Sequence, residues 1–166
     1  MGYALIGIAA GTEAGNEGVL IYLEIYLVMS LGSFACILCM RRGEQMVEQI
    51  SDMAGLGKNH KMLALALTLF MFSMAGISPL AGFFGKLYVF VAAIDAGLYI
   101  LAIIGVVTSV VGAFYYLRII KIMYFDDPVD ALDSFIGREM SFVIGLTSII
   151  VILFFVYPSP VLNTAK

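Results

Sequence analysis

The stretch GISPLAGFFGKLY, residues 76–88, decides how this chain folds. It lies inside an apolar run from Met62 to Ile94, 33 residues in which Lys86 is the only formal charge. As one straight helix the run would measure roughly 50 Å, against a hydrocarbon core about 30 Å thick. Gly76, Ser78 and Pro79 sit near its middle, and a proline inside a helix removes one backbone hydrogen bond and frees a carbonyl. The pattern therefore predicts two half-helices, about 62–77 and 80–94, separated by a break marked by Gly76, Ser78, Pro79, Gly82 and Gly85.

The surroundings of that break are equally apolar. The chain of 166 residues is 62% hydrophobic and only 13% charged, where soluble domains run near ~25% charged. A core of this size could not bury so much apolar surface, so a water-soluble globular domain is excluded. The expected fold class is all-α: a polytopic transmembrane helix bundle with one discontinuous helix, forming a single membrane region over 1–166. Apolar runs of span length mark residues 18–40, 98–120 and, shorter, 141–157, beside the broken span 62–94. Residues 1–11 read as the end of a helix whose beginning is missing. No basic n-region follows Met1, so no cleavable signal peptide is expected.

Charge placement orients the bundle. Arg41, Arg42, Lys58 and Lys61 lie in the 41–61 loop, and Arg118, Lys121 and Arg138 lie in or beside the 121–140 loop, seven of nine basic residues. The opposite loops carry Glu13, Glu17 and Asp95 and no base. By the positive-inside rule the two long loops face the cytoplasm or the mitochondrial matrix. Within the first, EQMVEQISDMAGL places Met46, Val47, Ile50 and Met53 on one helical face, which predicts a short helix at the interface. Cys36 and Cys39 form a C-x-x-C inside an apolar helix, but no further ligands follow. They read as small hydrophobes rather than a metal or redox pair.

Tyrosine and cysteine apart, two ionisable groups lie deep in the spans, Lys86 and Glu24. An intramembrane charge costs at least ~2.5–3.5 kcal/mol, so it needs a partner, water or a use. Lys86 sits eight residues before Ile94, roughly 12 Å of helical rise from the nearer surface. Side chains on a helix lean toward its N-terminus, here deeper into the membrane, so snorkelling out would fight that bias. Unwound backbone at membrane depth survives only when buried in protein or lining water, and such breaks recur at the ion sites of transporters. Broken helix, water and lysine together make a proton-relay element. Glu24, six residues inside its span, is a weaker candidate for the path. So is His60, a titratable imidazole on the basic side. Thr108 and Ser109 could line a polar path or bond to their own backbone. Gly7 and Gly11 form a G-x-x-x-G, a helix-contact pattern of low specificity.

The segments TLFMFSMAGISPLAGFFGKLYVF (68–90) and GVVTSVVGAFYYLRIIKIMYFDDP (105–128) closely resemble one family. It comprises the antiporter-like N subunits of proton-pumping NADH:quinone oxidoreductase, respiratory complex I, in their C-terminal part. MGYALIGIAAGTEAG (1–15) and ISDMAGLG (50–57) match as well, so the resemblance covers essentially the whole chain. It implies a subunit of an NADH:ubiquinone reductase that translocates protons, built on two inverted repeats with one broken helix in each. Lys86 would be the lysine of the proton path on the second break. The family's other key groups, a central lysine and a glutamate–lysine pair, have no counterpart here, and Glu24 matches no family charge.

The resemblance further implies no cofactor in this chain, with NAD, FMN, iron–sulfur clusters and quinone on other subunits. The expected partners are the other complex I membrane subunits, including the missing N-terminal part of the same subunit, and the lipid bilayer; no nucleic acid is implied. The location would be the mitochondrial inner membrane or the bacterial plasma membrane. Two other readings stay open: a subunit of a multi-subunit sodium/proton antiporter, and a structural or assembly protein that transports nothing. Retention of both Lys86 and the Gly–Pro break argues against the last.

Overall fold

A computed structural model describes residues 2–43, 45–47, 49–129, 132 and 137–156. The fold is all-helical, in the order α1 (Gly2–Ala10), α2 (Glu13–Leu38), α3 (Leu56–Asn59), α4 (Lys61–Ala75), α5 (Ala81–Asp95), α6 (Tyr99–Phe125) and α7 (Arg138–Val156). By length and hydropathy α2 and α6 could each cross a membrane alone. Each of their 26 and 27 residues adds about 1.5 Å, which more than spans a ~30 Å core. Tyr157, the expected last residue of the final span, lies outside the described residues.

The chain turns between α1 and α2 at Gly11, and Thr12 caps α2 by accepting the Gly15 N–H at 3.0 Å. That contact satisfies one of the N–H groups a helix start leaves unpaired. Of the G-x-x-x-G pair, Gly7 is buried against α2, whereas Gly11 is exposed in the turn.

The expected interfacial helix over 44–53 is not what forms. Arg41–Arg42 pairs antiparallel with Gln45–Met46, and a 3₁₀ turn spans Ile50–Met53. Glu44 and Glu48 lie outside the described residues. The apolar spacing misled because the loop has no common face: Val47 is buried and ties its N–H to the Met40 carbonyl, while Met46 and Ile50 are exposed.

The broken pair α4–α5 packs against α2. Gly18 and Gly85 bring the two elements close, with the backbone of Tyr88 next to Gly18 and Tyr22 and Ile25 next to Gly85. Phe70, fully buried on α4, lies over Gly32 of α2. The main core therefore runs along α2, α4 and α5, joined by Ile120 and Met123 of α6 and Val151 and Phe154 of α7. Cys36 is fully buried in it, and both cysteines are free thiols. α6 contributes little else: from Tyr99 to Leu117 most of its large side chains are exposed.

Candidate functional site

Helix α4 stops at Ala75, two residues earlier than its sequence pattern implies, because Gly76 turns into the left-handed region at φ +83°. A helix end leaves its last four carbonyls without intrahelical partners. Here all four are accounted for. The Gly76 N–H donates to the Ser73 carbonyl at 3.0 Å and the Ile77 N–H to Phe72 at 3.1 Å, the return bonds of a glycine-terminated helix. The remaining two carbonyls, Met74 and Ala75, accept from Lys86 Nζ at 2.9 and 3.1 Å.

The start of α5 is held by the end of α4. Ser73 Oγ accepts the Gly82 N–H at 3.0 Å and donates to the Met29 sulfur at 2.9 Å. This works only because residue 82 is glycine: a Cβ there would run into the Ser73 backbone carbonyl. The Ile77–Leu80 segment turns the chain between the two half-helices, with Ile77, Ser78 and Pro79 exposed and the Ser78–Pro79 bond cis.

Lys86 is half-buried one turn into α5. Its third donor goes to Ser109 Oγ of α6 at 2.9 Å, so three acceptors face the three N–H groups of an ammonium. The ammonium also lies 5.2 Å from the centroid of the Tyr3 ring, inside cation–π range. The C-terminal end of α4 adds the negative pole of its dipole, which favours a cation at this spot. Beside the lysine is a cavity of about 160 Å³ lined by Tyr3, Tyr22, Tyr26, Tyr116, Ser109 and Met74 among others. It has room for a few water molecules.

Not every candidate converges here. Ser109 does, as a direct partner of Lys86. Thr108 instead donates to its own helix at Gly105, 2.9 Å away. Glu24 is exposed on α2 and lines a separate small cavity with Ala81 and Phe154. His60 stands at the head of α4, where its Nε2 donates to the Leu132 carbonyl at 3.1 Å. That is roughly 20 Å of helical rise from Met74, so the imidazole takes no part in the lysine site. The sequence reading missed Ser73, the two carbonyls and the tyrosine lining. Among the described residues no cluster of His, Cys, Asp and Glu suits a metal ion.

Residues 1–112 match the family described as NADH:quinone oxidoreductase/Mrp antiporter, TM. The chain belongs to that family. Subunit N of NADH-quinone oxidoreductase from Paramagnetospirillum magneticum is 54% identical over 166 residues, and its counterpart from Rhodospirillum rubrum is 57% identical. Each alignment covers 100% of this chain and 34% of the relative, so the chain spans about a third of the proteins it matches. The resemblance to N subunits thus holds along its full length.

Among solved structures, a chain of respiratory complex I from Thermus thermophilus with bound aureothin superposes with a TM-score of 0.82 at 24% identity, covering 98% of this chain and 36% of that one. A chain of the Mrp complex from Dietzia sp. superposes with a TM-score of 0.84 at 21% identity, covering 99% and 39%. At these identities the two superpositions establish the antiporter-like membrane fold alone.

Proposed function

We propose that this chain is a proton-translocating segment of the membrane arm of NADH:quinone oxidoreductase, with Lys86 as the group that takes up and releases the proton. One observation carries this reading. Lys86 Nζ is held between two end-of-helix carbonyls and the Ser109 hydroxyl, at the edge of a tyrosine-lined cavity. As an ammonium it satisfies all three acceptors. On giving its proton to a water in the cavity it becomes an amine with two donors and a lone pair, and one acceptor loses its partner. A displacement of α6 that withdraws Ser109 favours the neutral amine, and its return favours the ammonium. The site then converts a helix movement into proton loading and unloading.

In this reading the energy comes from redox chemistry elsewhere, and NAD, FMN, the iron–sulfur clusters and quinone belong to other subunits. The partners are the other membrane subunits and the remainder of the same subunit. The membrane is the mitochondrial inner or bacterial plasma membrane. A second reading, a subunit of a sodium/proton antiporter, draws on a fold as close to the Mrp chain as to the complex I chain. Identities of 54–57% to N subunits weigh for the first.

A native gel of mildly solubilised membranes separates the two. Co-migration of this chain with a band that oxidises NADH is expected. Migration in a band without NADH oxidation would move the assignment to the antiporter.

A further inference from the structure

Another cavity, about 530 Å³, opens between α4 and α7 and owes nothing to the lysine site. Its wall on α7 is the stripe Ser141, Gly145, Ser148 and Ile152, and its wall on α4 runs from Met62 to Leu69. The α7 stripe repeats at the three-and-four spacing of one helical face. Apart from Ser141 and Ser148 the lining carries no polar side chain. From Ser141 to Ile152 the groove is roughly 17 Å long, close to half of a ~30 Å hydrocarbon core, the depth of one leaflet.

Among the described residues, two cations stand at the mouth of the groove. Arg138 continues the α7 stripe one turn above Ser141, and Lys61 precedes Met62 at the head of α4. Both are exposed, and among the described residues neither has an ion pair. Each is the first residue of its helix. These helices, of 15 and 19 residues, thus begin with their positive dipole ends next to Met62 and Ser141, both of which line the groove. Glu139 is the one acid in the first turn of α7, and α4 has none there. Both cations border the long basic loops, on the membrane face where anionic headgroups attract Lys and Arg.

We propose that this groove is a binding site for one anionic phospholipid. Its phosphate lies between Lys61 and Arg138, its ester region is level with Ser141, and one acyl chain fills the groove down to Leu69 and Ile152. A neutral lipid would fill the apolar trough but leave the paired cations and dipole ends without a counter-charge. The inference does not depend on the proton chemistry of Lys86, because the bound lipid is counted on whichever assembly contains this chain.

The test uses that assembly, purified through a tag on this chain in detergent supplemented with phosphatidylcholine. Retained phosphatidylglycerol is then measured by mass spectrometry. Wild type should retain about one more phosphatidylglycerol per chain than Lys61→Ala/Arg138→Ala. Gly145→Leu should lose the same molecule, since a Cβ at Gly145 meets nothing within 4 Å and the leucine enters the groove without displacing this chain. Because that variant leaves both cations in place, it keeps the test informative if the double variant assembles poorly. Wild-type retention in Gly145→Leu would overturn the proposal. So would failure of Gly145→Leu to assemble while the double variant keeps its lipid, which would mean that a neighbouring helix occupies the groove.

Discussion

Tyrosine and cysteine apart, Glu24 and Lys86 are the two ionisable groups set inside apolar spans, and the chain treats them in opposite ways. Glu24 rides on α2, an unbroken helix of 26 residues whose interior backbone groups bond within the helix. It is exposed, and among the described residues it has no hydrogen bond or ion pair. Lys86 rides on the second half of a helix cut in two, and the cut hands it two carbonyls that a continuous helix would have used itself. One difference lies in the backbone. The interior backbone of a continuous helix has no free carbonyl to offer an inserted charge. A helix end inside the membrane has four carbonyls to place, and here a cation completes them.

The comparison can be broken first at the cut itself. Gly82→Val should have the largest effect, because its side chain would collide with the Ser73 backbone rather than with a flexible tip. Overpacking of this kind costs about 1–3 kcal/mol or more. Native gels should show a marked loss of assembled chain; normal levels would mean that the half-helices are not locked together at this point.

A smaller effect is expected from Ser109→Ala. It leaves one Lys86 donor without its partner at 2.9 Å, a cost of about 1–3 kcal/mol if nothing replaces it. Assembly should persist while pumping per electron falls, and Ser109→Thr, which keeps the hydroxyl, should restore part of it. Equal pumping in Ser109→Ala and wild type would remove α6 from the mechanism. The smallest effect belongs to Glu24→Gln, whose side chain touches no polar group among the described residues. Assembled amount and pumping should both stay near wild type, in the ±0.5 kcal/mol range of surface changes.

Much of this was legible in the residues. Gly76, Ser78 and Pro79 in the middle of a run too long for one span announce a break, and a lone lysine beside it marks a candidate site. The details were not legible, for a physical reason. Ser73 and Gly82 are nine residues apart, and no regular helix brings such a pair together; only the overlap of two helix ends does so. The carbonyls of Met74 and Ala75 carry no side-chain signature at all. Tyr22 and Tyr26 stand one helical turn apart with stacked rings 5.9 Å between centroids, yet aromatic residues are common in spans. Only the fold places Tyr3 and Tyr116 around the same cavity. The loop at 44–53 was misread because four apolar residues at helical spacing were taken for one face, when a two-residue hairpin pairs Arg41 with Met46.

The most direct measurement is the number of protons moved per NADH oxidised, in sealed vesicles, by the assembled Lys86→Ala complex with Glu24→Gln as its companion. With the lysine as a proton carrier, Lys86→Ala should assemble, keep oxidising NADH in uncoupled membranes and move clearly fewer protons per NADH, while Glu24→Gln matches wild type. An assembled Lys86→Ala complex with an undiminished proton ratio would contradict that role, and Lys86 would then be only the structural cap of a broken helix.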